Sequence, residues 1–167
     1  MSIGSKSKNT NHNEKIQIKL EVDTDPPTKF RVENRIVLNP VSFYVLTLPL
    51  SDLFAGKMHA TLYRAWRGRV KGRDWYDLIW YLQRKTPLSL NYLRECMRQA
   101  GNLGQNEPLD RNQVLQLLRA KIDEVDWKSA RDDMTNFIAD PARLDIWSPH
   151  YFHQIIDHLV VEPETLL

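Results

Sequence analysis

Cysteine is almost missing from this chain: Cys96 stands alone among 167 residues. An internal disulfide framework is therefore excluded, which suits a reducing compartment. No window reaches eighteen apolar residues, and the cations near the N-terminus precede no apolar stretch, so neither a membrane span nor a secretory signal is read. An excess of one charge is also lacking. Lys and Arg number 23 against 21 Asp and Glu, a net charge of +2, so any basic footprint for nucleic acid must be local. The five histidines show no ligand spacing: His150 and His153 lie three apart with no clear third ligand. What is present, 42% hydrophobic and 26% charged residues, is ordinary for a globular chain and excludes overall disorder. The expectation is a cytoplasmic protein with no membrane partner.

The order of patterns along the chain predicts an α+β protein. Residues 1–14 are polar and read as a disordered tail. KIQIKLEVD, 15–23, alternates strictly and predicts a half-buried strand ended by Pro26 and Pro27. VSFYVLTL, 41–48, predicts a second strand, with 31–38 as its hairpin partner. From residue 51 the apolar period turns helical. Phe54, Met58, Leu62 and Ala65 predict a helix over 52–66, with Ser51 as N-cap and Asp52 in the first turn. A second helix is expected from 73 or 74 to 84, ringed by Trp75, Tyr76, Leu78, Ile79, Trp80, Tyr81 and Leu82 and hence deeply buried. Further helices are expected over 89–100 (stopped by Gly101), 110–123 and 126–138, with a last one opened by Ser148 and Pro149. The domain reading is a tail (1–14), a strand region (15–50) and a helical lobe (51–167).

Three groups of residues carry possible chemistry. Glu21 and Asp23 share one face of their strand, a geometry that suits a hard divalent cation and equally suits an ordinary solvated face. Lys57 sits at the edge of the apolar stripe of its helix, on one side with Arg64 two turns on. A cation there can receive triphosphate oxygens or simply snorkel to solvent. The stretch GRVKGRDWYDL, 68–78, sets Asp74 and Asp77 in an apolar helix directly after Arg69, Lys71 and Arg73. A carboxylate buried there must be paired or bonded. Asp74 capping the helix, with one of the three cations neutralising Asp77, is the structural reading. Convergence of acid and cation on a phosphate-bearing, metal-bound ligand is the functional one.

LEVDTDPP at 20–27, LPLSDLFAGKMHATLYRAWRGRVKGRDWYDLIWYL at 48–82, and DDMTNFIADP with IWSPHYF between 132 and 152 together resemble the AbiEii/AbiGii-type nucleotidyltransferase toxins. The resemblance implies a partial nucleotidyltransferase-like strand region followed by a helical C-terminal lobe. It implies a toxin of a toxin–antitoxin or phage-abortive system that transfers a nucleotide from a nucleoside triphosphate, with Mg2+, to an RNA or protein acceptor. Position by position it makes Lys57, Asp74 and Asp77 catalytic, has Lys57, Arg64 and Arg73 hold the nucleotide, and gives the metal to Glu21 and Asp23. The family's Gly-Ser and Asp-x-Asp metal motif stands upstream of the LEVD-type strand, where only fourteen residues precede residue 15 here. The expectation is a truncated catalytic lobe, completed by a partner carrying the missing N-terminal half or held by a cognate antitoxin. The alternative is a non-catalytic module that binds nucleotide, RNA or antitoxin through Arg64, Arg67, Arg69, Lys71 and Arg73.

Overall fold

The structure, a computed structural model, describes residues 19, 20, 22, 24, 26, 27, 30–65 and 70–163. Among the described residues, one two-stranded antiparallel sheet precedes six α-helices, an α+β arrangement. Strand β1 (Glu33–Val37) pairs with β2 (Phe43–Thr47) from Glu33 opposite Thr47 to Val37 opposite Phe43. The hairpin expected from the two apolar runs is therefore formed. Most of the strand predicted over 15–23 lies outside the described residues. Its described members Lys19, Leu20 and Val22 belong to no strand, and Leu20 and Val22 are exposed.

The helices are α1 (Leu50–Tyr63), α2 (Gly72–Gln83), α3 (Leu90–Gln99), α4 (Arg111–Glu124), α5 (Trp127–Met134) and α6 (Pro149–Ile155). Their starts are set where a side chain satisfies the first free amides. Ser89 accepts from the Tyr92 amide, Ser148 from Tyr151 and Asp126 from Ser129. Asp110 forms a capping box with Gln113. Gly101, at φ +73°, ends α3 in the left-handed region that glycine enters without penalty. Helix α5 stops at Met134, short of the predicted residue 138, and a 3-10 turn follows at Pro141–Leu144.

Helix α1 departs from expectation at its start. Its N-cap position is Pro49, not Ser51, and no side chain caps it. Ser51 and Asp52 lie inside the helix, buried, and are used across the fold instead. Arg31, just before β1, donates from Nε to Asp52 Oδ2 at 3.1 Å, from Nη2 to Asp52 Oδ1 and Ser51 Oγ, and to Glu162 Oε2 at 2.9 Å. Chiefly through the bond to Asp52, its guanidinium is held more firmly protonated than usual. One arginine thus ties the hairpin, α1 and the C-terminal segment together and compensates a carboxylate with no solvent exposure.

The core is built on aromatics. Trp75 meets Trp127 edge-on at 4.9 Å and Phe152 at 5.2 Å, and Trp127 stacks on Phe152 at 4.2 Å. Such pairs contribute about 0.5–1.5 kcal/mol beyond the area they bury. Burial pushes the Cys96 thiol up to about 11, so it stays a neutral packing group. No helix among the described residues is long and apolar enough to cross a membrane.

Candidate functional site

Helices α1 and α2 run antiparallel with residues 64–71 between them, and their facing positions follow from that. Phe54 stacks on Tyr81 at 4.5 Å near one end. One turn along, Lys57 Nζ lies 2.7 Å from Asp77 Oδ2. At the other end Arg64 Nη1 donates to Asp74 Oδ1 at 3.2 Å. Cations seven apart share one face of α1, and carboxylates three apart share one face of α2, so an antiparallel pair sets them opposite each other as two ionic rungs. Asp77 is therefore matched by Lys57, twenty residues upstream, rather than by Lys71 or Arg73 as its sequence neighbours suggested. Arg69 lies outside the described residues.

The rungs form one wall of a cleft of about 400 Å³ that also takes in Lys71, Arg73, Tyr76, Met134 and Phe137. Four cations against two carboxylates leave this cleft with two surplus positive charges. Lys71 and Arg73 have no carboxylate partner among the described residues; Arg73 instead lies over the Phe137 ring at 4.8 Å. The Lys57 and Asp77 side chains remain 49% and 33% exposed, so this pair opens to solvent and to a ligand. Asp74 is different, at 5%. It caps nothing, since the N-cap position of α2 is Lys71 and no side chain bonds there. Its Oδ2 is buried without a hydrogen bond, although the Arg64 guanidinium is close.

Burial pushes the Asp74 carboxyl above the ordinary carboxylate range; Arg64, Lys57 and Lys71 pull it part of the way back. A carboxyl whose pKa is raised on folding favours the folded state below its unfolded value, near 4, and that contribution is lost as pH rises through the folded value. Thermal unfolding of the wild type and of Asp74→Asn between about pH 4 and 7 is therefore expected to show wild-type stability, relative to the variant, falling as pH rises. A difference that stays level would show that Asp74 titrates as a free carboxylate.

The fold brings together five of the residues expected to be functional: Lys57, Arg64, Arg73, Asp74 and Asp77 all line this cleft. Glu21 and Asp23, expected at the metal, lie outside the described residues, as do Arg67 and Arg69. Among the described residues no group of three or more His, Cys, Asp or Glu side chains could hold a metal ion. His153, for which no ligand set was expected, bonds Asp123 at 2.8 Å. Three members of the cleft were missed, Met134 among them. Tyr76 was read as buried but is 46% exposed, and Phe137, in the loop after α5, is 57% exposed. The helix-wide ring of aromatics on α2 hid Tyr76, and the helix expected over 126–138 hid Phe137, which lies beyond the end of α5 at Met134.

Helix α2 is set against α5 by an unusually close approach. The Gly72 amide donates to Asp133 Oδ2 at 3.0 Å, and a Cβ on Gly72 would lie 2.1 Å from the Ala130 carbonyl oxygen. Only a residue without a side chain fits there.

A family model described as nucleotidyl transferase AbiEii toxin, type IV TA system, matches residues 2–156. No match was found among curated proteins or among solved structures.

Proposed function

Because the chain belongs to the AbiEii nucleotidyl transferase toxin family, we propose that the cleft between α1 and α2 is its triphosphate site, and that the protein transfers a nucleotide from a nucleoside triphosphate to an RNA or protein acceptor. The observation that carries this is the solvent-open Lys57–Asp77 pair, with the Arg64–Asp74 pair beside it and two further cations around them. An ammonium held at 2.7 Å by a half-buried carboxylate has a fixed direction. Lys71 and Arg73, not spent on acids, supply charge to a polyanion.

In nucleotidyl transfer an acceptor oxygen bonds to the α-phosphorus as the bond from that phosphorus to its bridging oxygen breaks and pyrophosphate leaves. The protein has little covalent work in such a displacement; it positions and neutralises. Lys57 contacts the triphosphate oxygens, and Asp77 aims its ammonium. Arg64, held by Asp74, and Arg73 bind the charge that builds on the leaving pyrophosphate. Asp77 also lies where it can help place the attacking acceptor.

The two carboxylates of the cleft do not fit a divalent ion, since each already faces a cation. Glu21 and Asp23, which lie outside the described residues, would hold the Mg2+ that the family implies, and the ion would supply charge neutralisation at the phosphoryl oxygens. A cognate antitoxin is the partner that a type IV toxin–antitoxin family brings, and the cytoplasm, with its nucleoside triphosphates, is the compartment in which the reaction belongs.

The test is to incubate the purified chain with magnesium, each labelled nucleoside triphosphate in turn, and total RNA and protein. Covalent label on one acceptor is expected. A folded chain that binds triphosphate yet transfers no label would be a binding module instead.

A further inference from the structure

The cleft does not end at Asp77. Tyr76 and Phe137 belong both to it and to an adjoining cleft of about 520 Å³ lined also by Trp80, Arg143, Trp147 and Tyr151. Three of these aromatics are open to solvent: Tyr76 by 46%, Trp80 by 38% and Phe137 by 57%. Exposed large aromatics gathered in one groove mark a surface that meets a ligand. They are interleaved with guanidinium groups. Arg73 lies over Phe137 at 4.8 Å and Arg84 over Trp80 at 4.3 Å. Arg143, 82% exposed, meets Asp140 alone among the described residues, at 3.7 Å.

On α2 the residues 73, 76, 80 and 84 fall at spacings of three and four, so cation, aromatic, aromatic and cation form one ridge. That ridge is roughly 16 Å long at 1.5 Å per residue, enough for several bases rather than one. Alternating π-faces and cations recognise an unpaired, charged-backbone strand, because each base offers a face to stack and each linkage a phosphate to bind. A duplex would hide those faces.

We propose that this groove binds the single-stranded end of an RNA acceptor, its bases stacked on Tyr76, Trp80 and Phe137 and its phosphates on Arg73 and Arg143. The terminal hydroxyl is then delivered to the Lys57–Asp77 pair next door. The assignment of the groove to an acceptor rests on the nucleotidyltransferase reading above.

The test uses the full chain and fluorescence anisotropy with a labelled single-stranded RNA about ten nucleotides long, while calorimetry reads nucleoside triphosphate affinity separately. Trp80→Leu and Phe137→Leu are expected to weaken RNA binding by roughly ten- to a hundredfold. Trp80→Phe should largely retain it, and Trp80→Leu should bind triphosphate as the wild type does. Melting curves confirm that each variant is folded. Equal affinity of the wild type for a blunt duplex, RNA affinity unchanged in both leucine variants, or no RNA binding by the wild type would overturn the proposal. Loss of triphosphate binding in the wild type would instead overturn the reading of the ionic cleft, so the two failures are told apart.

Discussion

Replacing Lys57 by alanine is expected to lower nucleotide transfer by roughly two to three orders of magnitude, the scale seen when one electrostatic stabiliser of a developing charge is removed, with the melting temperature almost unchanged. The asymmetry follows from exposure. The Lys57 side chain is 49% exposed and its one ionic partner among the described residues, Asp77, is 33% exposed. Such pairs contribute only about 0–1 kcal/mol to stability, so removing one takes little from the fold. The same ammonium beside a triphosphate acts on charge that grows in the transition state, where each contact counts far more. Arginine at 57 is not expected to restore full activity, because a planar fork does not reproduce a compact point charge. Asp77→Asn should fall between, since the ammonium remains but is no longer aimed. Steady-state transfer rates, read beside thermal melts, check all three. An alanine variant that is inactive because it is unfolded would remove the support these rates give to the triphosphate site.

Gly72→Ala should do the reverse, destabilising first and impairing activity as a consequence. The new Cβ would meet the Ala130 carbonyl oxygen at 2.1 Å and the Met134 side chain at 2.7 Å. A methionine tip can swing aside, but a helix backbone oxygen cannot without moving α5. Alanine gains up to about 1 kcal/mol over glycine in helix propensity. Overpacking costs typically about 1–3 kcal/mol and occasionally more, and a clash with backbone belongs at or above the top of that range. Moving the start of α2 also weakens the Gly72 amide bond to Asp133 and shifts Asp74, two residues on. Denaturant unfolding is expected to show a net loss of about 2 kcal/mol or more, accompanied by reduced transfer. A variant as stable as the wild type would mean that α2 and α5 are less tightly seated than their contact implies.

The features legible in the sequence were local ones. Ser89, Asp110, Asp126 and Ser148 announce helix starts because a short polar side chain bonds an amide two or three residues on. The hairpin was legible because both apolar runs are bounded by turn residues. Ser51 misled because its neighbour Asp52 is claimed by Arg31, twenty-one residues away, and nothing local records that bond. The candidate site was legible as residue types but not as pairs: Asp77 has three cations close by in sequence, yet its partner is Lys57 on another helix. On α2 every side carries an aromatic, so periodicity could not say which would be left out of the core. Packing decided it, burying Trp75 among Trp127 and Phe152 and leaving Tyr76 and Trp80 to the groove.

The most direct measurement is a crystal structure of the chain with magnesium and a non-hydrolysable nucleoside triphosphate. Triphosphate oxygens within hydrogen-bond reach of Lys57 Nζ, about 3 Å, with Arg64 and Arg73 turned toward the same group, are the expected result. A triphosphate bound elsewhere, with the Lys57–Asp77 pair undisturbed, would contradict the assignment of this cleft.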